Sequence, residues 1–375
     1  MTTKIKSATN VFWAALILCT ISCKPQREVG LKDALKDKFL IGVAMNKNQI
    51  TGKDSVAVSQ IIKNFNSIVA ENCMKSEALQ PIEGFFDFSL ADQFVEFGEQ
   101  HHMFVVGHTL IWHSQAPKWF FTDDKGQAVT RAVLIDRMYK HITTVVKHYK
   151  GRVKGWDVVN EAINDDGTWR ESPFFKIIGK DYIKLAFQFA HEADPNAQLY
   201  YNDYNMAKEG KRNTVVKMVN ELKAEGIRID AIGMQGHLMM DYPDVNDFEK
   251  SIESFASTGA KVMITEMDLS VLPMPEKKAT ADVAYKFQED PIFNPYSSGL
   301  PDSVSVAFTK RMEVFFRLFI KHCAQISRVN LWGLSDGDSW KNDWPIDGRT
   351  DFPLLFDRQN NPKPIVNKII EATKQ

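Results

Sequence analysis

The sequence predicts an α/β protein folded as one (β/α)8 TIM barrel, and three observations carry that expectation. Eight short runs rich in apolar and β-branched residues recur between Ile41 and Asp336. They are separated by stretches whose apolar residues fall at helical spacing, the order expected of a parallel sheet covered by crossover helices. No run opens into a glycine-rich phosphate turn, since neither G-x-G-x-x-G nor G-x-x-x-x-G-K-[ST] occurs. That weakens the alternative, a doubly wound open sheet, and leaves no cofactor to expect.

In chain order, the first element is a leader. Lys4 and Lys6 precede an apolar run from Val11 to Ile21 that closes on "TISC". The run has about half of the roughly 20 residues a membrane span needs, so residues 1–22 read as a secretion signal. It resembles a bacterial lipoprotein signal, in which the cysteine, here Cys23, becomes the lipid-modified first residue; a plain signal peptide cleaved nearby is the alternative. Residues 23–38 then read as a polar tether and 39–375 as the barrel. The expectation is an exported bacterial lipoprotein anchored to the outer membrane, on its periplasmic or its external side.

The eight runs are "IGVAMN" from Ile41, "NSIVAEN" from Asn66, "FVVGHTLIWH" from Phe104, "GWDVVNE" from Gly155, "QLYYNDYN" from Gln198, "AIGMQGHL" from Ala231, "KVMITEMDL" from Lys261 and "NLWGLSD" from Asn330. Between them, Leu134, Met138, Ile142 and Val145 define one amphipathic face before Gly151, and Val215, Met218, Val219 and Leu222 another before Gly226. In each case a glycine follows as the stop signal.

Of the 375 residues, 44% are hydrophobic and 11% aromatic, enough for a large core. The formal net charge is −1 and the basic residues are scattered, so no nucleic-acid partner is expected. Losing residues 1–22 removes two lysines and no acids and leaves −3. Cys73 and Cys323, the cysteines of the body, read as two buried thiols and no disulfide framework. The protein is expected to act as a monomer.

Polar residues accumulate where the runs end: Glu71 and Asn72, His108 and His113, Asn160 and Glu161, Asn202 and Asn205, Gln235 and His237, Glu266 and Asp268. In a barrel those ends form the mouth that carries the active site. Many strands ending in amides, histidines and glutamates, with few lysines, suit a polyhydroxylated ligand. Glu161 ends the fourth run and Glu266 lies in the seventh, so a closed barrel sets them across the mouth, where two carboxylates can flank a glycosidic bond. Asp268 lies two residues beyond Glu266 on the same strand face, and His237 can bridge the two. Asn160 can hold a sugar 2-hydroxyl. Glu161 is expected to titrate high because Glu266 lies near it. A metal on His108, His113 and His237 lacks the H-x-H or H-E-x-x-H spacing, so none is expected. His101 and His102, closing a helix, read as solvated.

These residues stand in motifs that resemble glycoside hydrolase family 10: "ENCMK" from Glu71, "GHTLIWHSQ" from Gly107, "WDVVNE" from Trp156, "YNDYN" from Tyr201, "GMQGHL" from Gly233, "ITEMDL" from Ile264 and "WGLSDGDSW" from Trp332. The resemblance runs from about residue 39 to the end. It implies an endo-β-1,4-xylanase acting on xylan and xylo-oligosaccharides with retention, Glu161 as general acid/base and Glu266 as nucleophile. Glu71, Asn72 and Lys75 would hold the sugar next to the reacting one on the non-reducing side. His108, Trp112, Asn160, Gln235 and His237 would surround the reacting sugar, Trp332 and Trp340 would wall it, and Gln115 and Tyr204 would add substrate contacts. Trp340 would cover C5, where xylose lacks the hydroxymethyl group of glucose.

Trp156, inside a run, reads as core. The segment after "MDLS" is longer than the compact form of this loop and carries Tyr285, Phe287, Phe293 and Tyr296. It reads either as a self-packed surface loop or as an aromatic platform on the leaving-group side. Two further functions fit parts of the pattern: a related hydrolase of cellulose or mannan, and a tethered glycan-binding lipoprotein that does not cut.

Overall fold

The computed structural model describes residues 1–2, 29–274, 287–288 and 290–374. The expected signal and Cys23 therefore lie outside the described residues. Eight parallel strands form the sheet: β1 (Leu40–Met45), β2 (Ser67–Ala70), β3 (Phe104–Trp112), β4 (Gly155–Asn160), β5 (Gln198–Asp203), β6 (Ala231–Met234), β7 (Lys261–Ser270) and β8 (Ile326–Leu331). Each pairs with the next, and β8 returns to β1 with Leu40 opposite Arg328, so the barrel is closed.

The interior is filled by side chains. Ala44, Val69, Val106, Tyr200, Ala231 and Met263 pack together inside the barrel. Arg328 crosses the same space, its guanidinium 5.1 Å from the rings of both Phe104 and Tyr200. The closed floor leaves the C-terminal mouth as the side open to a ligand. Between strands, small residues face large ones: Gly107 sits opposite Trp156, where an added Cβ would come within 2.1 Å of the indole. Trp156 is buried, as expected of a core residue.

Helices cover the outside through the faces that their periodicity marks. Leu134, Met138, Ile142 and Val145 are buried in the helix Arg131–His148, whose start is capped by Thr130 Oγ1 accepting from Val133 N. Val215, Met218, Val219 and Leu222 are buried in the helix Glu209–Ala224. Both chains turn away at glycines with positive φ, Gly151 (+76°) and Gly226 (+78°), a conformation that a Cβ disfavours.

Several boundaries differ from the expectation. From Gly30 onward the stretch read as a polar tether is folded: Leu31 and Leu35 are 0% exposed, and the short helix Leu31–Ala34 packs on the helices Ser55–Asn64 and Pro364–Ala372. Two leucines amid lysines and aspartates look like a solvated segment, yet each burial is worth about 1.5–3 kcal/mol. The sixth run breaks at Gly236 (φ +79°), and His237–Met239 pairs separately with Asp268–Ser270. The eighth strand starts four residues before the expected Asn330, because Arg328, a charged residue inside the barrel, masks its pattern. Cys73 is buried, while Cys323 is only half-buried just beyond the helix Asp302–Lys321. His102 is exposed and His101 half-buried, near the solvated expectation. Among the described residues, no helix is long and apolar enough to cross a membrane.

Candidate active site

The chain leaves β4 at Glu161 with φ +58°, a left-handed conformation that a non-glycine residue adopts only when its surroundings hold it there. Two backbone contacts do so: Glu161 N donates to Asn202 O (2.9 Å), and Glu161 O accepts from Arg170 Nε (2.9 Å). Its carboxylate accepts from Trp112 Nε1 at 2.8 Å through Oε2, and from Gln235 Nε2 at 3.0 Å and Asn160 Nδ2 at 3.3 Å through Oε1. Burial pushes the carboxyl up to about 7, with Asp203 adding to the rise and the Gln235 and Trp112 hydrogen bonds opposing it. Glu266 is the smallest of these influences. Glu161 does titrate high, but chiefly because it is desolvated, not because Glu266 is near.

Glu266 sits in β7 in a different environment. Asn202 Nδ2 donates to its Oε1 at 2.7 Å, and His237 Nε2 lies 3.4 Å from its Oε2. Burial is the largest single influence and would raise this carboxyl too, but His237, His108 and Asn202 together outweigh it, and the group stays below the usual glutamate range. The His237 ring is itself fixed by Asp268, whose Oδ2 is 2.9 Å from Nδ1. Burial disfavours a charged imidazole, but Asp268 and Glu266 prevail and hold His237 at about 9, so both ring nitrogens donate near neutral pH. The bridge expected between Glu266 and Asp268 is present.

Buried amides join the two carboxylates. Asn160 Oδ1 accepts from Asn202 Nδ2 (3.0 Å) and Gln235 Nε2 (3.3 Å), while those amides reach Glu266 and Glu161 respectively. Asn202 lies at a strand end that the sequence marks as polar, but its bond to Glu266 was not foreseen. Asp203 is a second residue missed. It accepts from Lys211 Nζ (2.9 Å) and Tyr201 OH (2.6 Å), and nothing local in "YNDYN" separates it from a solvated turn residue.

Both glutamates open into a cavity of about 240 Å³ whose lining also includes Glu71, Asn72, Lys75, His108, Trp112, Gln115, Asn160, Gln235, His237, Trp332 and Trp340. On one side Lys75 Nζ donates to Asn72 Oδ1 (2.9 Å) and Gln115 Oε1 (2.7 Å) and lies 5.1 Å from the Trp112 ring. His108 is held by Asp157 at 2.9 Å and packs edge-on against Trp332 at 5.2 Å. Beside His237, 5.1 Å from its ring, Trp340 stacks on Trp344 at 4.7 Å and donates through Nε1 to Asp268 Oδ2 at 2.8 Å. Beyond Glu71 and Asn72 a second crevice of about 800 Å³ continues between the loops that follow β1 and β2.

One expectation is corrected. Tyr204 does not line the cavity: its hydroxyl accepts from Arg170 Nη2 (2.6 Å) and Lys211 Nζ lies 4.0 Å over its ring, so it braces the segment behind Glu161. Asp268, expected as a support and not as a contact, stays buried outside the cavity lining. In the long loop after β7, Tyr285 lies outside the described residues. Phe287 N donates to Pro345 O, Phe293 O accepts from Arg349 Nε, and Tyr296 packs on the main core; none of the three lines the cavity. The described part of the loop packs on the segment from Pro345 to Arg349 and on the main core. The nearest possible metal group among the described residues is Glu249, Glu253 and His322, on the outer helices and away from the mouth.

A barrel mouth holding two buried carboxylates, one poised to carry a proton and one held ionised, defines a glycoside hydrolase. Residues 30–372 match the profile "Glycosyl hydrolase family 10", and the chain belongs to that family. It is 51% identical over 360 residues to endo-1,4-beta-xylanase A of Xylanibacter ruminicola, covering 96% of this chain and 98% of the relative. It is 39% identical to an endo-1,4-beta-xylanase of Geobacillus stearothermophilus, over 91% of this chain and 97% of that one. A solved family 10 endoxylanase retrieved from a sugarcane soil metagenome superposes with a TM-score of 0.89 at 44% identity, covering 91% of this chain and 99% of that one. A mutant structure in complex with xylotriose superposes with a TM-score of 0.82 at 34% identity, over 92% and 99% of the two chains.

Proposed function

We infer that this hydrolase is an endo-β-1,4-xylanase that works by double displacement. The observation that carries the reading is the opposite state of the two glutamates in one cavity. Ionised Glu266 attacks the anomeric carbon while protonated Glu161 gives its proton to the departing oxygen; water then hydrolyses the glycosyl ester of Glu266, with Glu161 taking the proton back. Asn160, with its amide beside Glu161, is placed to meet the 2-hydroxyl. Endo action fits a cleft that continues beyond Glu71 and Asn72 into the larger crevice, so a chain need not end there.

Xylose over glucose is a matter of bulk. A pocket that merely accommodates an added group rejects it weakly, and Trp340 is held from two sides, by Asp268 and by the Trp344 stack, as a wall that does not yield. The protein further acts as a monomer, exported and held at the outer membrane by a lipid on Cys23; Lys4, Lys6, the short apolar run and "TISC" support the export and the anchor. Cys23→Ser should then release it from the membrane fraction.

The test of the activity is reducing-end release from xylan beside cellulose and mannan, with proton NMR of the first products. Release from xylan with the β-anomer appearing first supports the reading. Preference for another glycan rejects the substrate, and an initial α-anomer rejects Glu266 as nucleophile.

A further inference from the structure

We propose that Lys341 is a positioning residue for the nucleophile: its buried ammonium balances Asp268 and Asp351, which keeps Glu266 ionised. The proposal rests on the reading of Glu266 as nucleophile.

Lys341 is only 5% exposed, and a lysine is buried to that extent only where its charge is paired. Its Nζ lies 3.5 Å from Asp268 Oδ1, 4.4 Å from the Trp340 ring and 5.1 Å from the Trp344 ring. Asp268 thus has two faces. Oδ2 takes His237 Nδ1 and Trp340 Nε1, whereas Oδ1 accepts no hydrogen bond among the described residues and meets Lys341. The cation and the two stacked indoles hold one another: a desolvated ammonium over aromatic faces is attracted to both.

The charges around it are countable. Facing Lys341 are Asp268 on β7, His237 on the segment before it, Arg349, which lines the same small cavity, and Asp351, which accepts from Ser270 Oγ and Val271 N. Burial raises the Asp351 carboxyl, opposed by Ser270, Lys341 and Arg349, and its charge also reaches Lys363, which is paired with Asp336. Glu266 itself faces His237, His108, Lys75 and, across the cavity, the Glu161 carboxyl. Asp268 thus meets one cation at each oxygen, His237 and Lys341, and Lys341 acts with Arg349 on Asp351 as well. With Lys341 neutral, Asp268 Oδ1 loses its cationic contact and the buried cluster carries one more unbalanced negative charge, which is relieved by taking up a proton. Glu266 is the member of the set that must lose its proton to react.

The experiment uses an aryl xylobioside whose leaving group needs no protonation, so that the acid limb of kcat/KM reports Glu266 alone. For Lys341→Met the limb should move up by about one pH unit, with roughly tenfold loss below it and little change in kcat on the plateau. Lys341→Arg should return the limb to its original position. Adding Asp351→Asn to Lys341→Met should also return it, since one charge of each sign is then removed. A uniform loss at every pH, or an unmoved limb in Lys341→Met, would overturn the proposal. If Lys341→Met does not fold, Lys341→Gln carries the same comparison. Should Glu266→Ala remain active, the nucleophile reading fails instead, whatever the limb does.

Discussion

Glu161 and Glu266 share a cavity and are both buried, yet the protein drives them in opposite directions. Around Glu161 the charged neighbours that matter are carboxylates, Asp203 first, and its hydrogen bonds come from neutral groups, Trp112, Gln235 and Asn160. Around Glu266 the partner is a cationic imidazole locked by Asp268. Desolvation is the largest influence on each. Burial alone therefore does not assign acid and nucleophile; the sign of the compensating charge does.

The comparison breaks most completely by removing either carboxylate. Glu266→Ala should abolish turnover on every substrate, by a factor on the order of 10⁴–10⁶, because no covalent intermediate forms. Glu161→Ala should lose about 10²–10⁴-fold on xylan but little in the first step with an activated aryl glycoside, and azide should restore turnover of the intermediate. Equal losses from both variants on the activated substrate would mean that the environments do not divide the labour as described.

Exchanging the cation sharpens the contrast. His237→Gln leaves Glu266 buried with only neutral donors, as Glu161 is now, so its pKa should rise by about 1–3 units. In the wild-type protein kcat/KM should be bell-shaped, falling at high pH as Glu161 loses its proton near 7 and at low pH, below the ordinary glutamate range, as Glu266 gains one. In the variant the acid limb should climb toward the basic limb and narrow the bell. An unchanged acid limb would place the stabilisation of Glu266 elsewhere.

The smallest effect is on stability. Because the Glu161 pKa is raised in the folded state, the native protein binds its proton more tightly than the unfolded chain, and stability is lost as pH rises from the unfolded value through about 7. Glu161→Gln should therefore raise Tm by about 2–4 °C at pH 8 and leave it unchanged at pH 4, as followed by thermal unfolding. A gain of equal size at both pH values would point to packing and not to charge.

Much of this site is legible in the chain. Strand ends carry Glu71, His108, Glu161, Gln235 and Glu266 at positions that a closed barrel must bring to one mouth, since strand direction and order are set by local periodicity and short connections. Tyr204 was misplaced because "YNDYN" marks a strand end without marking which side chains turn inward; Arg170 and Lys211 decide that from elsewhere in the chain. Leu31 and Leu35 were misread because two apolar residues among charged ones say nothing about what surface awaits them.

By itself the sequence determined the barrel, the pair of glutamates and the identity of their neighbours, because alternation, helical spacing and residue type are properties of short segments. The state of each glutamate was decided only by the tertiary structure. Asp203 raises Glu161 across a strand pair, and Lys341 faces Asp268 from the loop after the last strand. Desolvation and Coulomb interaction depend on distances in space and on the water excluded between groups, and neither quantity is set by separation along the chain.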